Sequence, residues 1–163
     1  MLSSVLLKQY NRRWFLICHR HHQDTAYPYL VLSLDRIEGS IMADSKAHYE
    51  KPDYDYIQES ISMTIGVSHL FNDKNRPRNI KLKVSSSQYN YLRTKPIHPD
   101  QEWTGPDDDG NYLLKVKLRI NYELIHLLLS YGDGLEVKSP TILRKVIAEE
   151  TQSILTLYKD ITK

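Results

Sequence analysis

Apolar positions in the first third of the chain come in short runs, the pattern expected of β-strands. The segments "SVLLKQY" and "RWFLICH" are separated only by Asn11 and Arg12, a length typical of a hairpin turn in which Asn11 takes a left-handed conformation. After the loop "HHQDTA", the segment "YPYLVLSLDRI" alternates, and "GSIMAD" after Gly39 is a candidate fourth strand. Several short strands with tight turns predict a small β-barrel over residues 1–50.

Helical spacing replaces this pattern after residue 50. Pro52 and Asp53 are favoured at a helix start, and the apolar residues that follow share one helical face: Tyr56, Ile57, Ile61 and Ile65. The polar segment "NDKNRPRN" then has the composition of a solvated connector. Residues 51–78 are therefore predicted to form a linker helix and a connector.

The remaining segment, residues 79–163, alternates between strand and helix patterns. A strand "IKLKVSS" precedes a short helix "SSQYNYLRT", and two strands flank the turn "PDDDG". The helix "NYELIHLLLSYG", the strand "LEVKS" and a long amphipathic helix starting near Pro140 complete the chain. The order β-α-β-β-α-β, with one extra helix, predicts a ferredoxin-like module and an α+β fold class overall.

Composition narrows the class of protein. With 22 basic and 20 acidic residues the net charge is only +2, which argues against a generally basic nucleic-acid coat but allows a local patch. The single Cys18 cannot form an internal disulfide, which favours a reducing compartment. The N-terminal apolar run breaks at Lys8, and no apolar stretch has the length of a membrane span. These features predict a cytoplasmic protein with no membrane partner.

The histidine-rich segment "CHRHH" raises the question of a metal site. Strand alternation places Cys18, Arg20 and His22 on one face and His19 and His21 on the other, whereas zinc needs about four converging ligands. The acidic run from Asp107 to Gly110 lacks the spacing of a calcium loop and fits a hairpin turn. A phosphate-binding glycine loop and a nucleophile elbow are also lacking, so we expect no enzyme, metal or cofactor.

A basic patch with aromatic neighbours is the strongest functional signal. No acidic residue precedes Asp24, while Arg12 and Arg13 stand directly before Trp14. Cations for phosphates and rings for stacking are what a single-stranded nucleic acid or a nucleotide needs. Two plainer interpretations remain open. In the first, Trp14 to Ile17 belong to the barrel core beside a solvated turn. In the second, Asp35 forms an ion pair that fixes a strand end, and Arg36 either takes part in that ion pair or is available for phosphate.

Two motifs resemble those of the WYL domain. Arg13 precedes the run Trp14-Phe15-Leu16, and the partner motif is present as Leu34 to Ile37, "LDRI". The segments "YDYIQESISMTIGVS", "PIHPDQEW", "NYELIHLLLSYGDGLEVKSP" and "LRKVI" are similar to the closing helix of the WYL module and to the family's C-terminal extension, WCX. Phe15 stands where the family name has tyrosine, and the strand "YLVLSL" before Asp35 carries no basic residue.

The resemblance implies the effector-sensing part of a bacterial transcription regulator. It implies an Sm-like barrel that binds a nucleotide or single-stranded nucleic acid, and a ferredoxin-like extension that helps to form a homodimer. It also implies that promoter DNA is bound by a helix-turn-helix domain that this chain lacks. The predicted ligand-binding residues are Arg12, Arg13, Trp14, Arg20, His22 and Arg36, with Phe15, Leu16 and Asp35 as structural parts of the motifs.

Within this hypothesis, Arg13, Arg20 and Arg36 receive phosphates and Trp14 supplies an aromatic wall. His22 tunes the patch with pH, because an imidazole changes charge near neutrality. There are two rival hypotheses. The first is a dimerisation or protein-interaction module that senses no ligand, which the 12 tyrosines and the last helix favour. The second is an enzyme that acts on nucleotides.

Overall fold

The computed structural model describes residues 1–21, 28–40, 42, 51–72 and 74–159. The chain divides into two compact units, Met1–Asn75 and Arg76–Lys163. Each unit has its own sheet and its own buried apolar residues. The fold is therefore a mixed α and β fold with two antiparallel sheets and four helices among the described residues.

The first unit contains an antiparallel sheet of three strands in sequential order. Strands β1 (Leu2–Tyr10), β2 (Arg13–Arg20) and β3 (Tyr29–Ser33) are followed by a 3-10 turn over Leu34–Arg36. The predicted hairpin between β1 and β2 is confirmed, with Tyr10 paired to Arg13. The described residues form an open sheet and not the closed barrel that the pattern predicted. Most of the candidate strand after Gly39 lies outside the described residues.

A β-bulge explains why β1 does not alternate strictly. Its register with β2 shifts between Ser4 and Leu6, so that Val5 is the additional residue. Val5 and Leu6 consequently both pack against the core of the first unit. The run "VLL" is therefore compatible with a strand that has one buried face.

Helix α1 (Tyr54–Ser62) packs against this sheet, although the sequence pattern suggested a linker. The side chain of Asp53 caps the helix by accepting from the backbone N–H of Tyr56 at 3.0 Å. The Asp53 N–H donates to the Tyr29 hydroxyl at 2.8 Å, which ties the helix start to β3. Fully buried Ile57 belongs to the same core cluster as Tyr29 and Ile17. The helix ends at Ser62, before the predicted end near Gly66, whose φ is +76°.

The second unit follows the order expected from the sequence. Its elements are β4 (Arg78–Val84), α2 (Ser86–Thr94), β5 (Glu102–Thr104), β6 (Tyr112–Leu118), α3 (Tyr122–Leu129), β7 (Leu135–Ser139) and α4 (Thr141–Leu157). The strands lie in the order β5-β6-β4-β7, and every neighbouring pair is antiparallel. Ser85 and Asn121 cap α2 and α3, because their side chains accept from the backbone N–H groups of Gln88 and Leu124.

Alternation along β4 and β6 separates two faces of this sheet. Ile80, Leu82 and Val84 on β4 lie opposite Val116, Leu114 and Tyr112 on β6, and these positions form the core side. Lysines occupy most of the intervening positions, with Leu113 as an exception, and lie on the opposite, solvent-facing side. Helix α4 is buried only at Leu143, and residues 148–158 are exposed. Across the described ranges, no helix combines the length and apolar character needed to cross a membrane.

Candidate ligand-binding site

The predicted site begins at the turn between β1 and β2. Asn11 and Arg12 both have positive φ, at +47° and +63°, as a two-residue type I′ turn requires. Asparagine tolerates this conformation well, whereas arginine does so at a cost of about 1–2 kcal/mol. The turn exposes the Arg12 side chain and starts β2 at Arg13. Arg12, whose backbone is strained by its positive φ, is thus one of the cations at this end of the hairpin.

Arg13 forms a two-pronged ion pair with Asp35. Its Nε donates to Oδ2 at 3.0 Å and one terminal nitrogen donates to Oδ1 at 2.9 Å. The guanidinium lies 5.8 Å from the centroid of the Phe15 ring. The hydrogen bond from Arg13 lowers the pKa of the Asp35 carboxyl. The ion pair considered from the sequence is therefore present, but its cation is Arg13 from β2 and not the adjacent Arg36.

Arg36 and Trp14 remain exposed at the same end of the sheet. Arg36 ends the 3-10 turn and forms no ion pair with another described residue. Trp14 is 49% exposed and lies on the face of β2 opposite to Arg13, because successive strand residues alternate. Phe15 is buried and Leu16 is half-buried. Charge and an exposed ring are both available here, but on different faces.

Arg20 lies at the other end of β2. It is seven residues beyond Arg13, which corresponds to about 23 Å along an extended strand. A mononucleotide cannot contact both arginines across that distance, so the predicted residues do not form a single small site. His22, predicted to tune the patch, lies outside the described residues.

A pocket of about 500 Å³ opens beside Arg20. Tyr29, Leu30 and Val31 of β3 form one wall. The segment after α1 contributes the remainder: Val67, His69, Leu70, Phe71 and Asn72. The volume is within the range of ligand-binding cavities, and such cavities combine apolar walls with a few polar groups. Arg20, His69 and Asn72 supply those polar groups here.

The pocket residues that follow α1 could not be predicted from sequence spacing. His69 and Asn72 are about fifty positions from Arg20, and no motif marks them. His69 has a φ of +56°, an uncommon conformation for a residue with a β-carbon. The one available signal was the apolar pair Leu70-Phe71 after the helix, which packs into the core of the first unit.

The histidine cluster has the arrangement that strand alternation predicts. The rings of His19 and His21 meet edge to face with centroids 5.3 Å apart, and His19 also contacts Tyr29. Cys18 is buried on the other face, and burial raises the pKa of its thiol. Among the residues that the structure describes, no three histidine, cysteine or carboxylate side chains are grouped as metal ligands would be.

A protein-family model matches most of the second unit. Residues 76–155 match the WCX domain. The match begins at the boundary between the two units, at Arg76, and extends through most of α4. We therefore refer to Arg76–Lys163 as the WCX unit. WCX is the C-terminal extension that the sequence motifs had suggested for this part of the chain.

A solved structure shows a more distant similarity. Proteasome accessory factor B/C (PafBC) of Arthrobacter aurescens is 19% identical over 86% of this chain, with a TM-score of 0.39. The chain corresponds to 20% of the length of that protein. No curated protein matches the chain.

Proposed function

We propose that this chain is the regulatory part of a WYL-family transcription regulator that binds a negatively charged ligand in its first unit. The WCX match supports the regulatory class, because WCX is the extension expected beside a WYL domain. We further propose that the first unit is part of an Sm-like barrel and that the WCX unit is a ferredoxin-like module. The protein then acts in the cytoplasm without catalysis, through a DNA-binding domain outside this chain.

The observation that carries the proposal is the pocket beside Arg20. A guanidinium offers several donors in a fixed plane, which suits a phosphate or a carboxylate. Arg20 forms no ion pair with another described residue, whereas Arg13 is held by Asp35 at 2.7 Å. An incoming phosphate at Arg13 would have to compete with that carboxylate. The phosphate group of the ligand is therefore assigned to Arg20 and its neighbours.

The ligand class is a nucleotide or a short single-stranded nucleic acid. The pocket of about 500 Å³ has room for one nucleotide unit, and His69 and Asn72 line it together with Arg20. Tyr29 and Phe71 are mostly buried, so they shape the wall and are poorly placed to stack on bases. Exposed Trp14 is the ring suited to stacking, and a strand bound along β2 could reach it from Arg20.

The test is fluorescence anisotropy with a short labelled single-stranded oligonucleotide at several salt concentrations. Arg20→Gln is expected to weaken binding about tenfold or more, because a charge-assisted hydrogen bond is lost. Arg93→Gln is the matched control, since it removes the same charge from an exposed residue of α2 in the other unit. Competition with a mononucleotide distinguishes a nucleotide site from a site for a longer strand.

Arg36→Gln provides a second arm that tests the turn as the site. Loss of binding in Arg36→Gln but not in Arg20→Gln would move the site to the turn and contradict the pocket assignment. Equal, small losses in all three variants would indicate unspecific attraction only. Arg13 is unsuitable for this comparison, because replacing it also leaves the Asp35 carboxylate without its partner.

The apolar surface of α4 favours a second candidate function, a dimerisation module without ligand sensing. A groove of about 510 Å³ runs between α3, β7 and α4. Ile154, Leu155 and Leu157 near the end of α4 are 45%, 49% and 77% exposed. Light scattering separates the candidates: a dimerisation module is a concentration-independent dimer that no nucleotide stabilises, whereas the sensor gains thermal stability with its ligand.

A further inference from the structure

The solvent-facing side of the WCX sheet carries five lysines that fall into two classes. Lys83 lies 3.3 Å from Asp107 and 3.7 Å from Asp109, and Lys138 lies 3.3 Å from Glu136. Each of these two ammonium groups thus has a carboxylate partner, and Lys138 shares Glu136 with Arg144, whose guanidinium lies 2.9 Å from the same oxygen. The other three, Lys81, Lys115 and Lys117, are exposed and form no ion pair with any described residue.

The three lysines without acidic partners are neighbours. Lys81 on β4 is directly opposite Lys115 on β6, and Lys117 is the next residue of β6 on the same face. Directly opposed side chains lie about 5 Å apart at their β-carbons, and residues two apart on a strand lie about 7 Å apart. Like charges in directly opposed positions destabilise a sheet. Glu102 on β5 is opposite Lys115 and offsets part of this repulsion, so the stability of the fold explains the pairing of Lys81 with Lys115 only in part.

The groove around these lysines shows where an anion could lie. It has a volume of about 300 Å³ and is lined by all three lysines and by Asn79. Asp100 and Glu102 line the β5 side of the same groove, and Glu102 is opposite Lys115 in register. Neither carboxylate is within ion-pair distance of the three lysines. An anion is thus attracted over β4 and β6 and repelled at β5.

This face offers charge but no aromatic ring for a base. The strand aromatics Trp103 and Tyr112 point to the other side, where both contact Tyr89 of α2, with ring centroids 4.9 Å and 3.6 Å away. The face also lacks a large exposed apolar side chain, because Leu113 is half-buried. A protein partner usually needs such an anchor, and single-stranded nucleic acid usually needs a stacking ring. The phosphate backbone of a duplex needs neither.

We propose that Lys81, Lys115 and Lys117 form an auxiliary docking surface for the phosphate backbone of double-stranded DNA. The contact is independent of base sequence and does not depend on the ligand pocket of the first unit. Each lysine that neutralises a phosphate contributes about 0.9 to the slope of log K against log salt. Three contacts predict a slope of about −2.7, a weak interaction that adds to binding by a separate DNA-reading domain.

The experiment measures anisotropy of a labelled duplex with the full chain between about 50 and 200 mM salt. Two double variants are compared, since each removes two lysines from the same face of the sheet. The first carries Lys81→Gln and Lys115→Gln, and the second, the control, carries Lys83→Gln and Lys138→Gln. The first pair is expected to reduce the slope by about 1.8, and the second to change it little. Glu102→Gln is expected to strengthen binding, because it removes a negative charge beside Lys115.

Three outcomes would overturn the inference. They are no binding of the duplex at the lowest salt, equal losses in the two double variants, and tighter binding of a single strand of the same length. Thermal melting separates loss of docking from misfolding, because Lys81→Gln with Lys115→Gln is expected to melt at the same or a higher temperature than the parent. Arg20→Gln is expected to leave duplex binding unchanged, so this inference and the proposed ligand site fail or succeed separately.

Discussion

Arg13 shows what the sequence specified and what it left open at the scale of single residues. The motif placed a cation before Trp14 and an acid at position 35, and an ion pair at the end of a strand was one of the expected arrangements. Which cation pairs with Asp35 depends on the register of β2 with β3, where Phe15 is opposite Ser33. That register is set by the whole sheet, so it could not be deduced from neighbouring residues.

The ion pair makes the contribution of Asp35 to stability depend on pH. Its pKa lies below the ordinary value of 3.8 in the folded chain, mainly because Arg13 hydrogen-bonds the carboxylate. The resulting stabilisation is present above that value and is lost as the pH falls below it. Asp35→Asn should therefore lower the urea midpoint at neutral pH, and the difference from the parent should shrink in acid. Glu38→Gln, a nearby exposed carboxyl, is the control; a difference that persists in acid would contradict the prediction.

Cys18 provides a prediction about reactivity. Its side chain is 2% exposed, and burial raises the pKa of the thiol, so little thiolate is available for reaction. A thiol reagent is expected to modify the folded protein at least about tenfold more slowly than the chain unfolded in denaturant. Absorbance kinetics with a chromogenic disulfide measure both rates. Similar rates in the two states would show that β2 opens readily around Cys18.

At the scale of elements, strands and helices with local signals were predicted well. In the WCX unit, Ser85 and Asn121 start α2 and α3 through contacts within three residues, which a sequence displays directly. Helix α1 differs, because its start at Asp53 is local but its packing partner is not. The spacing of Tyr56 and Ile57 indicates an apolar face without saying which surface covers it. The spacing alone therefore predicts the helix but not the sheet on which it packs.

The packing of α1 can be tested with a cavity-creating substitution. Ile57 is fully buried in the core cluster that joins α1 to the sheet of the first unit. Ile57→Ala is expected to lower the free energy of unfolding by about 2–5 kcal/mol, through lost burial and a residual cavity. Gln58→Ala changes an exposed neighbour on the same helix and should have little effect. If Ile57→Ala proved as mild as the control in urea denaturation, α1 would not be part of this core.

At the scale of the whole molecule, the chain consists of two units with separate sheets and separate cores. The sequence indicated this division through the change from barrel-like to βαββαβ patterning. Tertiary contacts of α1 and of Leu70 and Phe71 place residues up to Asn75 in the first unit, and such contacts leave no local pattern in a sequence. The pocket beside Arg20 could not be predicted either, because its two walls come from segments that are distant in the sequence.

The two tryptophans allow each unit to be followed separately. Trp14 belongs to the first unit and Trp103 to the WCX unit. Two variants each keep one tryptophan and replace the other by phenylalanine, so that fluorescence during urea unfolding reports on one unit. Ile57→Ala is expected to lower the urea midpoint reported by Trp14 and to leave the midpoint reported by Trp103 unchanged. Two equal shifts would mean that the units unfold as one cooperative body.

The left-handed turn at Asn11 and Arg12 limits how this chain can change in evolution. Exchanging either residue leaves the number of residues in the turn unaltered, so the partners along β1 and β2 stay matched. Adding a single residue would instead require a different turn and displace β2 by one step, which exchanges the positions of Phe15 and Ile17 with those of Trp14 and Leu16. Related chains should therefore conserve the length of this turn and carry residues that tolerate positive φ at its two positions.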